Sequence, residues 1–216
     1  MTTAATSTNV IAALRRAAQE TPAAERCEFC SLAIPPVHRH LLEVAKQNIV
    51  CVCDPCGLRF ENVVGNRFRL IPRDVKWLAD FHLSEKQWEG FALPINLAYF
   101  RRDSVANKIV AMYPSPAGAT ESLLPTQEWD ELAAENAALE NMQPDIEALL
   151  INRVGVNRQY FIVPIDVCFE LVGRIRVHWR GLSGGEKVWQ DMEAFFADLR
   201  NRAEAIDAKT GKVLRA

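Results

Sequence analysis

Residues 26–57 run RCEFCSLAIPPVHRHLLEVAKQNIVCVCDPCG, and two Cys-x-x-Cys pairs, Cys27/Cys30 and Cys53/Cys56, bracket the segment. Two residues between ligands let one tight turn aim both sulfurs at the same ion, and two such turns complete a tetrahedral shell. The 22 residues between Cys30 and Cys53 slightly exceed the usual gap, and a helix over residues 37–47 would absorb the excess. The second turn is the stronger match. It reads Cys53-Asp54-Pro55-Cys56-Gly57, where proline stiffens the turn and Gly57 is expected to accept a positive φ. The first turn has Ser31 where that glycine would stand. Cysteine also packs as a small inert hydrophobe, but five of the six in the chain fall between positions 27 and 56. The reading is a metal centre on Cys27, Cys30, Cys53 and Cys56.

Three neighbours offer substitute ligands: Cys51, His38 and His40. Cys51 and Cys53 would share one side of a strand over residues 48–53, so either could reach the ion. The histidines could replace a cysteine or hydrogen-bond a thiolate; the blander reading makes them surface or capping residues. A two-cysteine, two-histidine iron–sulfur centre would need Cys-x-His and Cys-x-x-His spacings, and neither occurs. Four thiolates suit zinc or iron. The Pro-Cys-Gly ending resembles rubredoxin knuckles, but the first knuckle lacks its glycine and aromatics are sparse, which favours Zn2+ over Fe. Zinc in a closed shell acts structurally, with no position for substrate.

The remainder reads as an ordinary globular domain. The chain has 216 residues, 49% of them hydrophobic, with a formal net charge of -2 and 24% charged residues. That balance gives no global attraction to nucleic acid or an anionic membrane. No apolar run approaches a bilayer span, and residues 1–8 lack the order of a secretory signal. The expectation is a cytoplasmic protein, where such cysteine spacing points to metal rather than disulfides. The fold class expected is α+β: a small zinc-ribbon-like module, then a mixed domain with antiparallel strands and a long C-terminal helix. The divisions are an N-terminal tail and short helix (1–25), the metal module (26–62), the α+β domain (63–208) and a frayed tail (209–216).

Within the domain, strands are expected over residues 67–71 and 160–165, and helices over 74–81 and 85–90, the latter capped by Ser84. A hairpin pairs residues 95–101 with 108–113, followed by a loop at 114–118. Helices are read over 128–139 and 144–151. Residues 166–180 fit both periods; their β-branched content favours a strand, with Arg174, Arg176, His178 and Arg180 on one solvated face. A helix from Glu186 to about Ile206 carries the widest apolar stripe. The acidic run from Asp130 to Glu147 reads as a soluble face, Cys168 as core, and His82 as structural. Leu182-Ser183-Gly184-Gly185-Glu186 has the look of an ATPase signature loop, but no phosphate-binding Gly-x-x-x-x-Gly-Lys segment accompanies it. It reads as a glycine turn opening the last helix.

The order Arg26-Cys27-Glu28-x-Cys30, Ile34-Pro35-Pro36-x-His38-Arg39-His40-Leu41 and Cys51-x-Cys53-x-x-Cys56 resembles an uncharacterised bacterial family encoded beside uptake NiFe-hydrogenase genes. The likeness continues through Tyr113 to Ala119, Glu121 to Leu124, Pro164-Ile165-Asp166, Glu170 to Gly173, Trp179 to Gly185 and Phe195-Phe196. It implies an accessory role in making or wiring a hydrogenase, with another protein, a hydrogenase subunit or maturation factor, as partner. It carries no catalytic residues. No catalytic or organic-cofactor constellation is legible in the chain either, which favours a non-enzymatic interaction protein while leaving an enzyme open. The alternatives are rubredoxin-like electron transfer through iron on the same cysteines and, less favoured by charge, zinc-ribbon nucleic-acid binding.

Overall fold

The computed structural model describes residues 25–61, 67–122, 126–181 and 184–214. The short helix expected from Asn9 lies outside them, as do Leu182 and Ser183. The chain is mixed α+β. A three-stranded antiparallel sheet carries strands β1 (Arg39–Glu43), β2 (Asn48–Val52) and β3 (Phe68–Leu70) in the order β2-β1-β3. Helix α1 (Asp54–Glu61) follows β2 directly. The helix expected over residues 37–47 is instead β1 and a 3-10 turn at Val44–Lys46.

The larger sheet has seven strands: β4 (Lys76–Ala79), β5 (Leu97–Asp103), β6 (Lys108–Ser115), β7 (Gly118–Ser122), β8 (Glu147–Asn152), β9 (Gln159–Pro164) and β10 (Glu204–Asp207). Their order is β10-β4-β9-β8-β5-β6-β7, antiparallel except that β10 runs parallel to β4. Both faces are covered. Helices α4 (Ile165–His178) and α5 (Glu186–Arg202) pack on one, meeting Leu97, Tyr99, Ala148, Leu150, Phe161 and Val163. Helices α2 (Glu85–Gly90) and α3 (Thr126–Glu135) and a 3-10 segment at Ala137–Asn141 cover the other, meeting Ala98, Phe100, Leu149, Ile151, Tyr160 and Ile162.

Double coverage explains the misread elements. A strand buried on both sides has no polar face, so its sequence loses the alternation that marks a strand. All six residues of β8 are buried, and the helix expected over 144–151 is this strand. Likewise residues 74–81 give β4, with Trp77 facing the α4/α5 core and Leu78 the opposite one. The segment 166–180 fails in the other direction. It is helix α4, whose Cys168, Leu171, Val172 and Ile175 line one buried face, so the basic strand face does not exist. Arg174 instead bridges Glu170 on its own helix and Asp191 on α5.

Other expectations match. Ser84 accepts the Gln87 amide at 3.2 Å in a reciprocal capping box, and β5 and β6 form the hairpin. The loop at 114–118 is shorter than read: β6 continues to Ser115, and Ser115 pairs with Gly118 at the start of β7. The last helix ends at Arg202, leaving Glu204 to enter the sheet. Residues 209–214, within the tail read as frayed, turn back: Val213 bridges Ile206 and the Leu214 amide donates to the Ala205 carbonyl. Two members of the acidic run are buried rather than soluble. Glu147 accepts from Lys76 Nζ and the Gln143 amide, both at 2.8 Å. Asp145 accepts from the Ser104 amide at 2.9 Å, with Arg69 at 3.5 Å.

The two sheets meet through β1. Leu41 faces the small core with Val50, Val52, Ile34 and Phe68, whereas Leu42 faces the α4/α5 core with Ile71 and Val75. Adjacent strand residues point to opposite sides, so one strand serves both cores. Leu42→Ala should therefore lower stability by about 2–5 kcal/mol, read by chemical denaturation. A loss below about 1 kcal/mol would mean that Leu42 does not bind the two parts together.

Candidate metal centre

The sulfurs of Cys27, Cys30, Cys53 and Cys56 all lie within 4.8 Å of one another. Cys30 Sγ and Cys53 Sγ are 3.7 Å apart. Metal–sulfur bonds of about 2.3 Å at a tetrahedral angle put neighbouring sulfurs about 3.8 Å apart. All four are free thiols. The donor set, its number and its spacing thus fit a tetrahedral ion, and the group could hold one.

Two unlike supports position the four. Cys27 and Cys30 sit on a turn closed by the Ser31 amide donating to the Cys27 carbonyl and the Cys27 amide donating to the Leu32 carbonyl, both at 2.8 Å. An isolated bridge between Arg26 and Ala33 flanks it. The left-handed residue that such a turn needs is Ser31, at φ 62°, so the position read as lacking its glycine adopts the conformation regardless. The second pair does not form a matching turn. Cys53 immediately precedes α1 and Cys56 lies in its first turn, with the Gly57 amide donating to the Cys53 carbonyl at 2.9 Å.

Gly57 is therefore helical, not a positive-φ residue. Its role is closeness: a Cβ there would stand 3.1 Å from Arg39 Cδ and 3.5 Å from Val52 Cγ2. Arg39 Nε in turn donates to Asp54 Oδ1 at 2.7 Å, tying β1 to the start of α1. On the other side, Phe29 stacks on Phe60 with centroids 4.1 Å apart and meets Phe68 edge-on at 5.4 Å.

Cys27, Cys30 and Cys56 titrate unequally. Burial weighs against ionising Cys27, yet the backbone amides of Cys53, Cys30 and Phe29 and the Cys30 thiol outweigh it and bring its pKa down to about 6. At Cys56, burial and then the thiols of Cys53, Cys30 and Cys27 push the pKa up to about 12. Cys30 is also raised: the Leu32 amide lowers it, but the Cys27 thiol, burial and the Cys53 thiol prevail. One thiolate in the group makes the next harder to form, and a cation would remove that penalty.

Cys51, His38 and His40 gather with one another rather than joining the four cysteines. The strand containing Cys51 ends at Val52, so Cys53 leaves the two-residue alternation and joins Cys27 in the small core. Cys51 stays paired across the ladder with His40. The sequence reading missed Asp166, whose Oδ2 lies 2.6 Å from His40 Nδ1. Nothing in local spacing could reveal a contact across 126 positions. Cys168 is fully buried in the α4/α5 core, where burial first and Asp166 second raise its pKa well above the ordinary value. It is a packing residue.

Metal uptake at pH 7.5 should displace at least two protons, from Cys30 and Cys56, since both are protonated there while Cys27 is already ionised. Affinity should accordingly rise between pH 6 and 8. Calorimetric titration in buffers of different ionisation enthalpy counts the protons; a pH-independent affinity with none released would contradict the assignment of these thiols.

Among the described residues no helix is long and apolar enough to cross a membrane. No curated protein and no solved structure is significantly similar to the chain. Residues 26–203 match a family described as "Family of unknown function (DUF5947)". That span begins one residue before Cys27 and takes in the small sheet, α5 and every strand of the large sheet except β10, so the chain belongs to this family.

Proposed function

We propose that the protein is a non-enzymatic accessory or interaction protein whose N-terminal module is held by one structural zinc ion on Cys27, Cys30, Cys53 and Cys56. The observation that carries the reading is the four-sulfur cluster itself: its donors number four and lie at tetrahedral spacing, which leaves no ligand position for a substrate. Four thiolates at this spacing suit zinc and iron alike; zinc is put first because the module core is small and a filled shell there needs only a structural ion. Among the described residues, Cys27, Ile34, Leu41, Val50, Val52, Cys53 and Phe68 form the buried cluster there. A core of that size gains most of its stability from a metal staple.

An interaction role draws support from the module surface, where Leu32, Val37 and Leu58 are more than half exposed and Phe29 is about one-third exposed. Apolar residues grouped on one small module suit a protein partner. The family resemblance points to a hydrogenase subunit or maturation factor, in the cytoplasm. Electron transfer through iron on the same cysteines is the second reading: the Cys30–Cys53 separation suits iron as well as zinc, and Phe29, Phe60 and Phe68 gather beside the cysteines, where the sequence suggested few aromatics.

Elemental analysis and a visible spectrum of anaerobically purified protein decide between them. Structural zinc predicts one colourless zinc on the four cysteines; a red protein with iron in its place, bleached by reductant, would replace the first reading with the second. Cys53→Ser should release that ion and expose residues 26–61 to proteolysis while the seven-stranded sheet keeps its protection. Full metal retention in this variant would remove Cys53 from the ligand set.

A further inference from the structure

Where β1 and β2 turn toward the large domain, two imidazoles meet nitrogen to nitrogen. His38 Nε2 and His40 Nε2 are 3.2 Å apart, with the rings crossed at 82°. Their other nitrogens have fixed partners. His38 Nδ1 lies 2.9 Å from the Pro35 carbonyl oxygen, which can only accept, and 3.4 Å from Glu25 Oε2. His40 Nδ1 lies 2.6 Å from Asp166 Oδ2 on α4. Both Nδ1 atoms therefore carry hydrogen, and in neutral rings both Nε2 atoms then present lone pairs to each other. Two lone pairs at that distance call for a proton or a metal ion between them. Metal–nitrogen bonds of about 2.05 Å at a tetrahedral angle place two nitrogens about 3.3 Å apart.

The third donor is in place. Cys51 pairs with His40 across the β1–β2 ladder, and its sulfur lies within 4.8 Å of a nitrogen on each ring. The surroundings are acidic: the Glu28 carboxylate accepts the Cys51 amide at 2.7 Å, and Glu25 and Asp166 hold the two rings. A carboxylate or carbonyl behind each ligating imidazole is the usual means of fixing its tautomer and strengthening it as a donor. The rings and Asp166 line a cleft of about 380 Å³ shared with Arg73, Glu170 and Arg202.

We propose that His38, His40 and Cys51 form a second metal site, for a zinc-like divalent ion, at the junction of the small module and the sheet domain. Two imidazoles and one thiolate suit zinc, cobalt or copper. Three protein ligands leave a fourth position for water or an exogenous ligand from the cleft, unlike the closed four-sulfur shell. Because Asp166 belongs to α4 and the ligands to the β1–β2 ribbon and the turn before it, an ion here also couples occupancy to the docking of the two parts. The inference is separate from the four-cysteine centre, and either can fail alone.

The test is metal counting on reduced, stripped full-length chain titrated with Co2+ and then with Zn2+. The wild type should take two equivalents. His40→Ala and Cys51→Ser should each take one, with the cobalt spectrum of four thiolates intact. Asp166→Asn should weaken the second equivalent about 10–100-fold and leave the first unchanged. Imidazole NMR of the unsubstituted chain guards against a variant that misfolds: the chain has four histidines, and only His38 and His40 should shift as the second equivalent of Zn2+ is added. A single equivalent in the wild type, held by the four cysteines, would overturn the proposal and leave a shared proton between the rings. So would a second equivalent that survives both substitutions or shifts His82 or His178.

Discussion

Strand β1 has no free face. Leu41 closes the small core around the cysteines, Leu42 enters the α4/α5 core, and His40 reaches Asp166 at the start of α4. Five residues thus tie the cysteine module to the seven-stranded sheet from two sides. The constraint is geometric: neighbouring side chains on a strand diverge, so a strand wedged between two cores must be apolar on both. Every feature of either candidate metal group depends on where this strand lies, because β2, α1 and the Cys53–Cys56 pair follow it directly.

The two groups differ in how charge is managed. The four sulfurs crowd one another; Cys27 ionises readily, helped by backbone amides, while Cys30 and Cys56 resist in the absence of a cation. Crowded donors of like charge are unfavourable by themselves, which makes the cluster a poor structure without a counter-ion and a good one with it. The histidine pair is built differently. Each ring is braced from behind by an oxygen, and the unbraced nitrogens converge. One group packs among the turn, the helix start and the Phe29–Phe60–Phe68 stack, with Cys30 exposed; the other borders the cleft with Asp166. A closed shell and an open one, side by side, suit a stable staple and an exchangeable ion.

The large domain acts as a platform. Its sheet is covered on both faces, its buried charges Glu147 and Arg153 have partners in Lys76 and Glu85, and its last helix hands the chain to an edge strand beside β4. The buried Asp145, held at φ 65°, accepts an amide from the β5–β6 turn and anchors Arg69 of β3, a further link between the two sheets. Asp166 is held by the Val167 amide, 2.9 Å from its Oδ1, which leaves Oδ2 to His40.

Local signals in the chain were enough for the four cysteines as one group, the mixed α+β class, the β5–β6 hairpin, the Ser84 cap and the last helix. In each case the signal is local: a ligand spacing, an amphipathic period or a capping pair needs only its own few residues. Tertiary structure alone decided that residues 39–43, 76–79 and 147–152 are strands, since burial on both faces erases the alternation that would have marked them. It alone placed Cys53 in a helix start rather than a turn, and separated Cys51, His38 and His40 into a cluster of their own. That cluster depends on Asp166, a partner 126 positions away whose approach is set by how two cores share one strand.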